Sequence, residues 1–207
     1  APAWKQRKLG DLAEIKTGES DAQDAVEEGK FPFFVRSEII ERSDKYLFDG
    51  EAILVPGEGR LGEIFHYYNG KFDFHQRVYK ISNFINDVTG NFVLYAMQHS
   101  FKAHALKYTV KATVDSLRMP MLTEYQISTP NIEEQQEITQ HLKNLDNIIT
   151  RHQRKLEKMK ELKKSYLSEM FPAEGERKPK RRFAGFTDDW EQRKFGDFFD
   201  PIPNNSL

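Results

Sequence analysis

The sequence predicts an α+β fold, in which a globular mixed α/β domain with an irregular sheet is followed by one long coiled-coil helix. Three observations indicate this class. Short runs rich in Phe, Val, Ile and Tyr recur between turn residues before position 130, as strands do. Residues 92–106 instead repeat their apolar side chains at helical spacing. From Asn131 an apolar heptad repeat runs for the next forty residues or so, which is typical of a coiled coil.

The globular part is expected to consist mainly of strands. Aromatic and β-branched residues suit a pleated, half-covered surface, and Gly, Asn, Asp or Pro separate the runs. An Asn-Gly turn is expected at Asn69-Gly70. The predicted strands are residues 12–17, 31–35, 52–55, 63–68, 72–81 and 126–129.

The long helix is predicted to begin after Pro130 and to end at Phe171-Pro172. Acidic residues in its first turn, Glu133 and Glu134, suit the positive end of the helix dipole. A straight helix of about 40 residues would be about 60 Å long, too long for this domain to bury, so its apolar stripe calls for a partner. The residues predicted to contact that partner are Ile138, Leu142, Leu145, Ile149, His152, Leu156, Met159 and Tyr166.

Composition excludes several classes of protein. With 38% hydrophobic and 13% aromatic residues among 207, the chain can form a real core. The absence of Cys excludes disulfides and thiol chemistry. No apolar run approaches the length of a membrane helix and no signal peptide opens the chain, so we expect a soluble, cytoplasmic protein.

The charge is balanced overall and uneven along the chain. There are 31 Lys and Arg against 32 Asp and Glu, a formal net charge of −1. A balanced chain seems a poor partner for nucleic acid, whose phosphates need cations. However, residues 1–28 carry a net −3 and residues 99–118 a net +3. The average therefore does not exclude DNA.

A nine-residue segment occurs twice. Trp4-Lys-Gln-Arg-Lys-Leu-Gly-Asp-Leu12 returns as Trp190-Glu-Gln-Arg-Lys-Phe-Gly-Asp-Phe198, with six identities at an offset of 186 residues. This offset is far longer than a solenoid period and predicts a duplication on the scale of a domain. We expect a globular domain at 1–130, a long helix at 131–171, and a linker with the beginning of a second repeat at 172–207.

The segment Gly57-Glu-Gly-Arg-Leu-Gly62 satisfies the G-x-G-x-x-G pattern of dinucleotide-binding turns. Such a site needs a helix to begin at the glycines, whereas the following residues are aromatic and β-like. The pattern therefore favours a glycine-rich hairpin loop, with Arg60 at its tip. A nucleotide-binding enzyme remains a remote alternative.

The sequence shows no catalytic or metal-binding constellation. The six His are dispersed, and His99 and His104 are five residues apart, unlike the i,i+4 pairs that bind zinc on a helix. Ser116 has no evident base beside it, and no nucleophile elbow is present. We expect no enzymatic activity, no metal and no cofactor.

Basic and amide residues indicate a nucleic-acid partner instead. Residues 75–77, His-Gln-Arg, carry groups that reach base edges or phosphates, although an ordinary charged surface has the same composition. The residues predicted to contact DNA are Arg60, Gln76, Arg77, Lys107, Lys111 and Arg118.

Two motifs resemble a known family. The helix start Ile132-Glu-Glu-Gln-Gln-Glu-Ile138 after Pro130, and the linker containing Met170-Phe-Pro and Arg182-Phe-Ala-Gly-Phe186, are similar to those of specificity subunits of type I restriction-modification systems. The resemblance covers nearly the whole chain and is specific at the helix start, the linker and the two Trp…Gly-Asp segments. It identifies the chain as one target recognition domain with one conserved helix, either a half-subunit or a truncated form.

The resemblance implies a function. In this family each recognition domain reads one half of a split, double-stranded DNA target, and the helices hold the domains apart while docking methyltransferase subunits and, through them, a restriction or translocase subunit. A single domain and helix then predicts a homodimer. The alternative is a coiled-coil scaffold or adaptor whose globular head binds protein. Salt dependence of duplex binding separates the two, because phosphate-driven affinity falls steeply with salt.

Overall fold

The computed structural model describes residues 4–108 and 116–198, and the statements below concern these residues. The chain divides after Asn144 into two compact units, which are described separately. We call residues up to Asn144 the head unit and those from Leu145 the tail unit. No helix in the described ranges combines the length and the apolar character that crossing a membrane requires.

The head unit contains eight described strands and three shorter helices, and the long helix begins in it. The strands are β1 (Lys5–Lys8), β2 (Glu14–Thr17), β3 (Phe31–Phe34), β4 (Ile40–Ser43), β5 (Phe48–Pro56), β6 (His66–Phe74), β7 (Val78–Ser82) and β8 (Gln126–Thr129). The helices are α1 (Leu9–Leu12), α2 (Gly90–Leu106), α3 (Met119–Thr123) and α4 (Ile132–Met170).

Six of the strands form one mixed sheet in the order β2-β7-β5-β6-β3-β4. All neighbours are antiparallel except β3 and β6, which run parallel, with Phe34 opposite Phe74. β1 and β8 form a separate antiparallel pair that joins the two ends of the head unit. The mixed sheet followed by one long helix confirms the predicted α+β class.

Both faces of the central strand β5 are covered. Ile53 and Val55 face α2 and belong to the larger core, which also contains Met97 and Phe101. The alternating residues Ala52 and Leu54 face the opposite side and pack with the aromatic group Phe34, Phe72 and Phe74. Fully burying a side chain of this size stabilises the fold by roughly 1.5–3 kcal/mol, so the two clusters hold the sheet rigidly at its centre.

The predicted turn at Asn69-Gly70 is wrong. Both residues lie within β6, where Gly70 is opposite Gly50 and Asn69 is opposite Glu51 of β5. Gly50 and Gly70 have φ angles of 147° and 136°, which side-chain-bearing residues rarely adopt. The glycine pair therefore allows an unusual backbone within a long strand, and the strand continues through it.

Several strand boundaries also differ from those predicted. Leu12 ends the short helix α1, and the second strand begins only at Glu14. The run 72–81 is split by a turn at residues 75–77 into the end of β6 and all of β7. The fourth strand, Ile40–Ser43, was not predicted, because its sequence Ile-Glu-Arg-Ser has too little apolar character for an edge strand to be recognised.

The long helix α4 confirms the prediction to within one or two residues. Asn131 precedes it, and its side-chain oxygen accepts a hydrogen bond from the backbone N–H of Glu134 at 2.8 Å, as an N-terminal cap does. Ile138 packs against the head core. From Leu145 onward the apolar residues of the predicted interface are exposed within the chain.

In the tail unit, residues that follow α4 fold back onto its last turns. Arg181 forms an ion pair with Glu169 at 2.6 Å and lies over the ring of Tyr166. Phe171 and Trp190 make an edge-to-face contact with ring centroids 5.8 Å apart. The segment predicted as a linker is thus packed on the helix end through residue 190.

The repeated nine-residue segment bends into a helical turn in both places, an α-helical turn at Leu9–Leu12 and a 3₁₀ turn at Phe195–Asp197. Lys8 and Lys194 precede it with φ/ψ of −77°/142° and −74°/145°, and a single helical turn follows each of them. The environments differ, because Leu9 and Leu12 are fully buried whereas Phe195 and Phe198 are 81% and 60% exposed.

Candidate nucleic-acid interface

Three loops that leave strands of the six-stranded sheet contact one another on one surface of the head unit. They follow β3, β5 and β6, and consist of residues 35–39, 57–62 and 75–77, which we call the loop face. The N–H of His75 donates to the carbonyl of Phe34 at 2.9 Å, and the N–H of Gly57 donates to the carbonyl of Arg77 at 2.8 Å. Residues far apart in sequence are therefore fixed side by side on one surface.

Ion pairs connect the charged residues of the loop face. Arg36 and Arg77 both donate to the carboxylate of Glu58. Arg60 lies between Glu38 and Glu63. Lys102 of α2 also contacts Glu63. Four cations and three carboxylates thus form two chains of ion pairs, in which each carboxylate contacts at least one cation.

The ion pairs keep these groups charged. Hydrogen bonds from Lys102 and then Arg60 lower the pKa of Glu63 to about 2. Hydrogen bonds from Arg77 and then Arg36 lower the pKa of Glu58, and the bond to Glu63 raises the pKa of Arg60. All the side chains involved are exposed to solvent, where such pairs contribute little stability. They can therefore exchange partners when a polyanion approaches.

The buried carboxylate of Asp73 and the buried imidazole of His75 support the turn at 75–77. The carboxylate of Asp73 is fully buried and accepts hydrogen bonds from Ser20 Oγ at 2.6 Å and Ser43 Oγ at 2.9 Å. His75 is only 2% exposed, and its Nδ1 accepts from the N–H of Arg77 at 3.0 Å. Its Nε2 therefore carries the proton, 3.2 Å from a carboxylate oxygen of Asp21. His75 positions the turn and cannot itself reach a base.

The structure brings together three of the residues predicted to contact DNA. Arg60, Gln76 and Arg77 are exposed on the loop face. Arg118 lies beside it, because the N–H of the preceding Leu117 donates to the carbonyl of Gly57 at 2.7 Å.

Of the other two predicted residues, Lys107 is not part of this surface. Lys107 follows α2 and lines a separate cleft of about 600 Å³ with His104, Glu124 and Tyr125. Lys111 lies outside the described residues.

The glycine-rich segment is a loop and not the start of a helix. Residues 57–62 pass through bends and turns before β6 begins at His66. Gly59 and Gly62 have φ angles of 84° and 67°, and a Cβ on Gly62 would lie 2.9 Å from the Cα of Lys102. The glycines serve a tight loop packed against α2, which favours the loop interpretation over a dinucleotide site.

Sequence reasoning missed the partners of the arginines. Glu38, Glu58, Glu63 and Lys102 complete the ion pairs across separations of up to 39 residues. No local pattern marks such pairs, because they arise only when the sheet places the loops together. Among the described residues, no three His, Asp or Glu are placed to hold a metal ion.

Residues 2–161 match the family model of the type I restriction modification DNA specificity domain. The chain therefore belongs to this family, and the resemblance found in the sequence is confirmed. The type I restriction enzyme EcoDI specificity subunit of Escherichia coli is 26% identical over 209 residues. That alignment covers 99% of this chain and 43% of the relative, so the chain spans less than half the length of that subunit.

Solved structures share the fold. The S subunit of a type I restriction-modification system from M. genitalium superimposes with a TM-score of 0.61 at 22% identity, over 81% of this chain and 46% of that one. The HsdS subunit from Thermoanaerobacter tengcongensis gives a TM-score of 0.56 at 16% identity, over 74% and 40% of the two chains. The mixed sheet of the head unit, followed by the long helix α4, thus has the fold of specificity subunits.

Proposed function

We propose that the head unit recognises double-stranded DNA through the loop face and reads one half of a split target. The observation that carries the proposal is the grouping of Arg36, Arg60, Arg77 and Gln76 on loops that contact one another, in a chain of this family. Guanidinium groups bind phosphates in a bidentate manner and contact guanine edges, and an amide such as that of Gln76 matches adenine.

The ion pairs suit this function in a specific way. Before DNA binds, Glu58 forms an ion pair with Arg77 and Glu63 forms one with Arg60. A DNA phosphate must therefore replace a carboxylate on an arginine. The released carboxylate then repels the phosphate backbone of the DNA unless another cation stays paired with it. The loop face therefore penalises contact with arbitrary DNA, and tight binding requires base contacts as well. One head alone is expected to bind weakly.

The long helix provides the second part of the proposal. From Leu145 to Tyr166 its apolar residues are exposed at heptad spacing, which suits pairing with a second helix. We assign this face to a second copy of the chain in a C2 homodimer, which would present two identical heads to a palindromic, interrupted target. Ile138 contributes less than predicted, since it already packs against the head core.

The remaining surface of α4 is assigned to protein partners. Most charged residues of the helix lie outside the heptad positions, Lys163 being an exception, and are available to methyltransferase subunits and, through them, to a restriction or translocase subunit. The protein itself is expected to act in the cytoplasm, by binding and without catalysis or cofactor of its own.

Duplex binding measured against salt concentration tests the proposal. Fluorescence anisotropy with a randomised duplex pool should show affinity that falls steeply with salt. Arg77→Gln should reduce the slope of log K against log salt by about 1. Lys5→Gln is the matched control, because Lys5 is exposed on β1, which pairs with β8 apart from the six-stranded sheet. If no duplex binds at low salt, alone or with a methyltransferase partner, the head is a protein-binding module and the proposal is wrong.

A further inference from the structure

An apolar side chain projects from the middle of the charged loop face. Ile39, in the loop between β3 and β4, is 71% exposed, more than any other large apolar residue of the head unit within the described ranges. Its neighbours in the loop are Arg36 and Glu38, whose ion pairs lead to Arg77 and Arg60. An isolated exposed Ile is common on protein surfaces, but this one lies among the groups assigned to DNA.

The backbone of this loop is fixed. Ser37 Oγ accepts from the N–H of Ile39 at 3.2 Å and lies 3.3 Å from the carbonyl of the same residue. His66 Nε2 lies 3.1 Å from the carbonyl of Ser37. On the other side, Ile40 is paired with Phe34 in the sheet. The side chain of Ile39 is therefore held outward by its own loop, and a partner meets it already in place.

The chemistry of DNA limits what such a residue can contact. Phosphates and most base edges are polar, and the exposed apolar group in the major groove is the 5-methyl group of thymine. Arg36 is in the same loop, and Arg60 is paired with the neighbouring Glu38. If these arginines contact phosphates, the exposed side chain of Ile39 would point towards the floor of the DNA groove.

We propose that Ile39 contacts the 5-methyl group of a thymine in the major groove and so makes one base pair of the target specific. The inference depends on the proposed function, because it requires that the loop face binds DNA. It assigns to an apolar residue the recognition of thymine, which the guanidinium groups do not provide because they suit phosphates and guanine edges.

The test combines a change in the protein with a change in the DNA. A preferred duplex is first selected from a randomised pool with the wild-type chain. Each thymine of that duplex is then replaced in turn by deoxyuridine, which lacks only the methyl group. Affinities of the wild type, Ile39→Ala and the control Ile148→Ala are measured for every duplex. Ile148 is also an exposed apolar residue, but it belongs to α4 and not to the loop face.

One thymine in each half-site is expected to be coupled to Ile39. Its replacement should weaken wild-type binding about fourfold, the effect of one buried methyl group. Ile39→Ala should bind the thymine duplex more weakly and lose its sensitivity at those positions alone, whereas Ile148→Ala should behave as the wild type.

Two results would overturn the inference without affecting the proposed function. In one, Ile39→Ala binds every duplex as tightly as the wild type. In the other, it binds more weakly but remains as sensitive as the wild type to each deoxyuridine, which would indicate a wedge or a backbone contact. If the wild type selects no duplex at all, the proposed function fails first and the inference fails with it.

Discussion

The side-chain amide of Gln135 accepts a hydrogen bond from the backbone N–H of Thr89 at 3.1 Å and connects the long helix to the start of α2. Gln135 is fully buried. Its amide nitrogen donates to the carbonyls of Asp87 at 2.9 Å and Pro130 at 3.0 Å. A single side chain in the first turns of α4 therefore satisfies three backbone groups where the helix meets the head.

Gln135→Glu should destabilise the head strongly. The carboxylate keeps an acceptor for Thr89 but has no donor for the two carbonyls, and a buried, unpaired charge is costly. We expect the free energy of unfolding to fall by about 3 kcal/mol at neutral pH, measured by urea denaturation followed by circular dichroism. Gln136→Glu, the same change at an exposed neighbour, is the control. Equal stability of the two variants would mean that the hydrogen bonds of Gln135 contribute nothing.

Gly18→Ala should prevent correct closure of the turn at 75–77. A Cβ on Gly18 would lie 1.9 Å from the carbonyl oxygen of Phe74 and 2.6 Å from that of His75. Both are backbone atoms, which cannot move without displacing the chain on either side of them. We therefore expect the free energy of unfolding to fall by about 3 kcal/mol or more, measured as a lower midpoint of thermal unfolding. Gly196→Ala, where a Cβ meets no atom within 4 Å, should leave the midpoint nearly unchanged. A small effect at Gly18 would contradict the close approach.

Glu58→Gln should strengthen binding to DNA of any sequence. The change removes the carboxylate shared by Arg36 and Arg77, which leaves both guanidinium groups free for phosphates and removes one repulsive charge. Anisotropy at low salt should show an affinity several-fold higher for the random pool and a steeper dependence on salt. Glu137→Gln, the same charge change on the exposed surface of α4, controls for net charge. Unchanged or weaker binding by Glu58→Gln would place DNA elsewhere.

The ion pair of Glu63 makes a prediction about acid. Its pKa is lowered from 4.5 to about 2, chiefly by the hydrogen bond from Lys102. A carboxyl with a lowered pKa favours the folded state above pH 4.5, and the contribution is lost as the pH falls from 4.5 toward 2. Titration of the Glu63 carboxyl carbon by NMR should give the low value, and Lys102→Met should raise it. A titration near 4.5 in the unmodified chain would show that the pair does not persist in solution.

Substitutions on the exposed stripe of α4 should dissociate the homodimer. Leu145→Lys and Leu156→Lys each place a charge on the heptad face, and analytical ultracentrifugation should show monomers. Ile148→Lys is the matched control, since Ile148 is similarly exposed but lies outside the repeat. If both variants keep the mass of a dimer, the helix face is not the interface. If the unmodified chain is already a monomer, no homodimer forms.

The sequence predicted those parts of the fold that depend on local periodicity. Helix α4 is an example, because a heptad pattern, an N-terminal Asn and a terminal Phe-Pro act within the segment itself. The turn wrongly expected at Asn69-Gly70 shows the limit, since a strong local signal was overridden by the pairing of Gly70 with Gly50. The edge strand at Ile40–Ser43 escaped notice because cross-strand pairing with β3, and not its own pattern, makes it a strand.

The candidate site was predictable in its residue types and not in its geometry. Arg60, Gln76 and Arg77 stood out as basic and amide residues in loops, and the sheet topology placed them together. Their carboxylate partners follow from three-dimensional proximity alone. The sequence showed Gln135 as part of a motif typical of the family. Its role in joining α4 to α2 could not be predicted, because it depends on how the two helices lie in three dimensions.

The helical turns after Lys8 and Lys194 show what a core adds to this short peptide. In one copy Leu9 and Leu12 are fully buried, and in the other Phe195 and Phe198 are exposed, while the φ/ψ angles of the preceding lysine agree within a few degrees. The buried copy forms one turn of α-helix and the exposed copy a 3₁₀ turn. The same sequence pattern therefore enters a helical turn with or without a core, and takes the α-helical form where its apolar residues are buried.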